Sequence, residues 1–149
     1  MYNSTVPGRL ATADTEPVSV EDRRPWFRAH DPRSRPLWIA EQSGEVVGWL
    51  SFGDFYDGRP AYHATAEVGV YVREGQRGGG VGRRLVQEAI RRGPALGLKV
   101  LTAGAFAHNE PSLRLFERLG FDRWALYPKV AELDGVERDL MVLGLRLDP

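Results

Sequence analysis

The chain has 149 residues, the size of one ordinary domain, and with 42% apolar and 27% charged positions it can close a core of its own. Twenty Lys and Arg balance twenty Asp and Glu, so the formal charge is zero and neither nucleic acid nor an anionic membrane is expected as a partner. No cysteine is present, which excludes disulfide scaffolds, thiolate zinc sites and cysteine nucleophiles, and His30, His63 and His108 lack the spacing of a metal motif, so no metal is expected.

Residues 1–18 are polar and broken by Pro7-Gly8 and Glu16-Pro17, with no apolar leader segment. Ser19-Val-Glu-Asp22 has a capping hydroxyl followed by first-turn acids and predicts a helix running to about His30, with Pro25 as a possible kink. Leu37–Gln42 and Glu45–Phe52 read as a hairpin around Ser43-Gly44. A third strand is predicted from Tyr62 to Arg73, leading into the glycine-rich Glu74–Gly82. Behind the glycines, Val81, Leu85, Val86, Ala89 and Ile90 recur at helical spacing as far as Gly93-Pro94. Lys99–Ala103 reads as another strand. Asn109 and Pro111 open a second clear helix that Gly120 ends, and 123–147 reads as two strands around Asp134-Gly135. Helices between strands predict an α/β (α+β) domain over residues 1–149, a mixed sheet with helices packed on it. The longest apolar run, Leu140–Leu145, is far too short to span a bilayer, and a soluble cytoplasmic protein is expected.

The strand, glycine loop and helix at 66–92 form the most informative unit. Amides at a helix N-terminus lack intrahelical partners, and glycines let several of them converge, so the unit is a candidate phosphate cradle. A P-loop would follow its last glycine with Lys and then Ser or Thr, whereas Gly82 is followed by Arg83-Arg84. The dinucleotide fingerprint wants an acid at the end of the next strand, and that strand ends Thr102-Ala103-Gly104. Both nucleotide readings fail.

Another pattern fits. Arg77-x-x-Gly80-x-Gly82 after Val70-Tyr71-Val72 resembles the acetyl-CoA signature of the GCN5-related N-acetyltransferases. The strand from Arg59-Pro-Ala-Tyr-His63 through Thr65 and Glu67 to Val72, and the helix Asn109-Glu-Pro-Ser112 through Phe116 to Phe121, resemble the phosphinothricin and methionine sulfone or sulfoximine acetyltransferase branch. The similarity runs from about residue 2 to 147. It implies a mostly antiparallel central sheet flanked by helices, with acetyl-CoA as co-substrate, a small amine as acceptor, and a homodimer.

Residue by residue, the resemblance implies that the pantetheine arm pairs with the backbone of Val70, Tyr71 and Val72. The pyrophosphate would rest beside Arg77 on the amides from Gly78 through Gly79, Gly80, Val81 and Gly82 to Arg83. Asn109 and Ser112 match the family's cofactor-contacting pair, although Asn109 also reads as a plain helix cap. Glu67 matches the general base. Strand parity supports this independently, since His63, Thr65, Glu67, Gly69 and Tyr71 alternate with apolar Ala66, Val68, Val70 and Val72. A carboxylate needs a raised pKa to accept an ammonium proton efficiently. Arg59, His63, Thr65 and Arg138 are candidate substrate contacts, Arg being suited to carboxylates. Trp49, Tyr56 and Tyr62 read as packing aromatics or a pocket wall.

Two departures stand out. The position where the family carries Tyr, or this branch His, is Phe116, which cannot donate a proton; glutamate and arginine at 137–138 replace an aromatic and basic pair. At the front, Met1–Val6 resembles the end of the family's first helix. Either the start is placed late, or the sheet begins with the 37–42 strand. The leading function is direct acetyl transfer to a small polar amino acid or analogue. The alternatives are an acyl-CoA-binding module with little catalysis and acetylation of protein N-termini.

Overall fold

The computed structural model describes residues 1–148. Three α-helices and six strands follow in the order α1 (Val20–Arg28), β1 (Leu37–Gln42), β2 (Glu45–Asp54), β3 (Thr65–Val72), α2 (Val81–Arg92), β4 (Val100–Phe106), α3 (Glu110–Arg118), β5 (Asp122–Leu133) and β6 (Val136–Arg146). The strands form one sheet in the order β1-β2-β3-β4-β6-β5. All neighbours run antiparallel except β3 and β4.

Local chemistry sets most of these boundaries. Ser19 Oγ accepts from the Asp22 amide at 3.0 Å and caps α1, as the sequence predicts; the helix ends at Arg28, two residues short of His30. Both hairpin turns, Ser43-Gly44 (φ 53° and 79°) and Asp134-Gly135 (φ 53° and 77°), have two left-handed residues, the twist that matches right-handed strands. Asn109 Oδ1 caps α3 by accepting from the Ser112 amide at 3.2 Å.

The third strand differs from the sequence reading. Pro60–Tyr62 forms a 3-10 turn, and β3 begins only at Thr65. His63 therefore sits in the turn and not on the strand, with Nδ1 3.0 Å from the Pro60 carbonyl. The proline fixes φ for a turn, which local alternation does not register.

One face of the sheet carries the core. Leu50, Phe52, Ala66, Val68, Leu101, Ala103 and Leu143 are buried against Leu85, Val86 and Ala89 of α2 and Leu113 and Phe116 of α3. Helix α1 lies over the opposite face, where Trp26 meets Trp49 of β2 edge-on at 5.5 Å. The sheet starts with β1 at its edge, next to β2 alone.

One feature of the sheet governs the site. Strand β3 pairs in parallel with β4 only through Thr65–Val100, Ala66–Leu101 and Glu67–Thr102. Beyond Glu67 the two strands part, while β3 stays paired to β2 as far as Val72. The last five residues of β3 thus have a strand neighbour on one side only.

Candidate active site

The gap between β3 and β4 opens toward the glycine loop. Gly78 (φ 83°) and Gly80 (φ 85°) are left-handed, and space is open where a Cβ would stand on either. Gly80 is the N-cap of α2, and the first bond of that turn runs from the Arg84 amide to the Gly80 carbonyl at 3.0 Å. The amides of Val81, Gly82 and Arg83 are the orphan donors that every helix start leaves. No acid stands in this turn to compete for them. An exposed fan of amides without a local anion suits a pyrophosphate. Gly82 lies against Val72 of β3 and Leu115 of α3, with Cγ2 and Cδ2 atoms 3.4 and 3.5 Å from a Cβ at that position, so the helix start, the free end of β3 and α3 converge.

On the other face, β2 and β3 make the floor of a cleft of about 280 Å³. The register places Trp49 opposite Tyr71, Ser51 opposite Gly69 and Gly53 opposite Glu67, and all six line the cleft. Tyr2, Arg23, Trp26 and Asp54 complete it. Glu67 has neither a hydrogen bond nor an ion pair among the described residues. Its side chain opens to the cleft, yet the surrounding walls desolvate it and push its pKa above the ordinary carboxylate value. Asp54 does not share that freedom: Arg35 Nε holds it at 2.9 Å, while Arg35 Nη2 also donates to the carbonyls of His63 (2.9 Å) and Thr65 (3.3 Å). Tyr71 stacks on Trp49 at 4.5 Å, and burial pushes its phenol up to about 12. Across the parallel junction from Glu67, the buried Thr102 hydroxyl has no partner.

The N-terminal segment straps this region. Asn109 Nδ2 donates to the Leu10 carbonyl at 3.2 Å, His108 Nε2 lies 3.2 Å from the Arg9 carbonyl, and the Tyr71 hydroxyl donates to the Ala11 carbonyl at 3.3 Å. Tyr2 reaches Thr12 (2.6 Å) and Asp14 through its hydroxyl. Asn109 is therefore both a cap and a tether, and its side chain is buried.

The structure places Glu67, Val70, Tyr71 and Val72 on β3 at and beyond the point where it leaves β4, and sets Gly82 against Val72. Gly78, Gly79 and Gly80 precede α2, Val81 and Arg83 lie in its first turn, Asn109 caps α3 and Ser112 lies in its first turn. Arg77 is exposed in the loop. Arg59, His63, Thr65 and Arg138 do not line the cleft: Arg59 and His63 are exposed beside the 3-10 turn, Thr65 opens β3, and Arg138 sits on β6 opposite Ala131. Of the aromatics, Trp49 is a wall, whereas Tyr56 and Tyr62 cluster with Phe55 outside. Phe116 is buried edge-on against Phe121 at 5.1 Å. Tyr2, Arg23, Trp26 and Ser51 are cleft residues that the sequence reading missed. The one available signal was the three-residue spacing of Arg23 and Trp26, which puts both on one side of α1; nothing local announces Tyr2.

Comparison with known proteins agrees with this geometry. Residues 3–121 match the model of the acetyltransferase (GNAT) family. The Bacillus subtilis (strain 168) protein YwnH, whose name gives phosphinothricin acetyltransferase as a provisional activity, is 54% identical over 148 residues, 99% of this chain and 90% of its own. The L-methionine sulfoximine/L-methionine sulfone acetyltransferase of Pseudomonas paraeruginosa (strain DSM 24068 / PA7) is 38% identical, over all of this chain and 87% of its own. A phosphinothricin acetyltransferase from Sinorhizobium meliloti, solved in complex with AcCoA, superposes with a TM-score of 0.90 at 25% identity, covering 97% of this chain and 78% of that one. A helix start with its amides free, an unpaired strand end beside it and a desolvated acid across the sheet are thus found in a chain whose sequence and fold match one group of enzymes: the protein belongs to the acetyltransferase (GNAT) family.

Proposed function

We propose that this chain is an acetyl-CoA-dependent N-acetyltransferase that moves an acetyl group directly to the amine of a small polar amino acid or analogue, of the phosphinothricin and methionine sulfoximine kind. The observation that carries this reading is Glu67, an unpaired and desolvated carboxylate on the cleft floor at the residue where β3 leaves β4. The names of the relatives support the acceptor class.

The residues present suit the co-substrate. Gly78 to Arg83 would hold its pyrophosphate, and the free side of Val70, Tyr71 and Val72 would pair with its pantetheine arm; when bound, it supplies an activated acetyl thioester. An ammonium is no nucleophile, so the acceptor must first lose a proton, and Glu67 is the unpaired base in the cleft. Its raised pKa brings it toward the working range of a general base. A main-chain N–H near Val70 would polarise the thioester carbonyl without a side chain. Phe116 supplies no proton to the departing sulfur; a thiol of pKa near 8.5 leaves adequately as thiolate, on the order of the ordinary cysteine value. The chain has no cysteine, so no acetyl-cysteine intermediate can form.

The same reading includes a cytoplasmic homodimer. Trp124, Leu126, Tyr127 and Val130 are exposed along edge strand β5, and Tyr56 meets Tyr127 through its hydroxyl, so this edge offers apolar side chains that a second copy would cover. Sedimentation showing only monomer at working concentration would remove that part.

Glu67→Gln tests the central claim. Turnover with methionine sulfoximine should fall by about 10²-fold or more, the usual scale for losing a general base, while acetyl-CoA affinity stays unchanged. Equal turnover in both proteins would remove Glu67 as the base, and turnover in neither, with coenzyme affinity intact, would leave only a coenzyme-binding module.

A further inference from the structure

The cleft holds two unpaired charges of opposite sign, and only one of them is accounted for by base catalysis. Arg23 of α1 lines the cleft opposite the strand floor that bears Glu67, and it also borders a neighbouring hollow of about 430 Å³ formed with Met1, Val18 and Phe27. Its guanidinium stacks 3.9 Å from the Trp26 ring centroid and 4.8 Å from that of Tyr2. Among the described residues its side chain makes no hydrogen bond and no ion pair. Neither acid of this region pairs with it: Asp54 is held by Arg35, and Asp14 accepts from the Tyr2 hydroxyl, keeps its charge and makes no ion pair with Arg23. The two rings hold the head of the side chain in place while its N–H donors stay unused. The rings are themselves filled by Arg23, so they do not form a cage for a cationic ligand.

Resting on the amino-acid acetyltransferase reading above, we propose that Arg23 is the docking group for the substrate's α-carboxylate, so that the site selects free α-amino acids over simple amines, amides and peptide N-termini. A guanidinium offers parallel donors that match the two oxygens of a carboxylate, and a fork already held by stacking loses little freedom on binding. An α-amino acid carries its ammonium and carboxylate on one carbon, which suits a cleft of about 280 Å³ with a cation on one wall and a base on another. The polar end of the side chain, sulfone, sulfoximine or phosphinate, then needs no charge partner at Arg23.

The test is calorimetric titration of the CoA-saturated protein with L-methionine sulfone, its α-carboxamide and L-norleucine, repeated with Arg23→Gln and Arg23→Lys. The wild type should bind the sulfone about 10- to 100-fold more tightly than its carboxamide, the range for hydrogen bonds to a charged group. Arg23→Gln should remove that preference while leaving carboxamide and CoA affinity unchanged. Arg23→Lys keeps the charge but not the fork, and should recover part of it; it also serves if the glutamine variant fails to fold. Norleucine should lose affinity in Arg23→Gln by the same factor as the sulfone. If norleucine is indifferent to the substitution while the sulfone is not, the fork reads the sulfone oxygens and the proposal is overturned. Equal weakening of acid and carboxamide would likewise overturn it, because Arg23 would then only hold Tyr2 and Trp26 in place. Acetyl transfer measured on the same samples separates the two claims. Selective binding without transfer would overturn the acetyltransferase reading and leave the role of Arg23 standing, whereas equal transfer to acid and carboxamide would do the reverse.

Discussion

Gly48 on β2 should be a distant determinant of the coenzyme site. A Cβ at this position would stand 2.8 Å from Val81 Cγ1, 3.1 Å from the Tyr71 carbonyl oxygen and 3.4 Å from Leu85 Cδ1. The carbonyl belongs to the β2–β3 ladder and cannot retreat alone. Val81 cannot rotate away cheaply either, since a β-branched side chain in a helix has one strongly preferred rotamer. Relief therefore requires α2 to shift by a few tenths of an ångström or more, and Val81 is its first residue, one of the amides assigned to the pyrophosphate. Overpacking of this kind costs about 1–3 kcal/mol. For a chain of this length that corresponds to a Tm loss of roughly 2–12 °C. Gly48→Ala should thus lower Tm by differential scanning fluorimetry and weaken acetyl-CoA binding by calorimetry. Gly104→Ala is the matched control, because its Cβ would meet only Leu140 Cδ1 at 3.7 Å and its φ is ordinary. That substitution should be neutral or stabilise by about 0.4–1 kcal/mol through the unfolded chain. If Gly48→Ala melts with the wild type and binds acetyl-CoA equally well, the close packing of β2 on the start of α2 does not govern the site.

The other expectations concern the cleft and its strap. Because burial raises the pKa of Glu67, kcat/KM should fall as pH drops through a value above the ordinary carboxylate one, and that acidic limb should vanish in Glu67→Gln. The same burial makes the charged form costly to the fold. Glu67→Gln should therefore raise Tm slightly at neutral pH, the side chain being open to solvent on its cleft side, with the gain disappearing well below pH 4, where Glu67 is protonated both folded and unfolded. Asn109→Ala should cost about 1–2 kcal/mol in urea unfolding by removing the α3 cap together with the tether to Leu10; an unchanged urea midpoint would show that neither bond contributes. Tyr71→Phe should leave the pH profile of turnover unchanged, since a phenol pushed up to about 12 is a poor proton donor at neutral pH. A shifted basic limb would make Tyr71 the missing acid.

The sequence by itself determined the turns, the caps and the coenzyme end of the site, because each depends on neighbours within a few residues. Ser19 and Asn109 cap helices through their own side chains, Ser43-Gly44 and Asp134-Gly135 turn hairpins through two left-handed residues, and the glycines before Gly82 free the amides that open α2. Alternation along β3 likewise set Glu67 apart from Ala66 and Val68. It overreached at His63, where Pro60 imposes a turn that a period of two does not detect. Only the tertiary structure decided where β3 leaves β4, since strand divergence is a property of two segments more than thirty residues apart. It also decided the substrate wall. Tyr2, Arg23 and Trp26 meet Trp49, Tyr71 and Glu67 because α1 packs on the open face of the sheet. Whether an arginine there is free or paired depends on Arg35 taking Asp54 and on Asp14 standing out of ion-pair reach, and the packed chain alone settles that balance of charges.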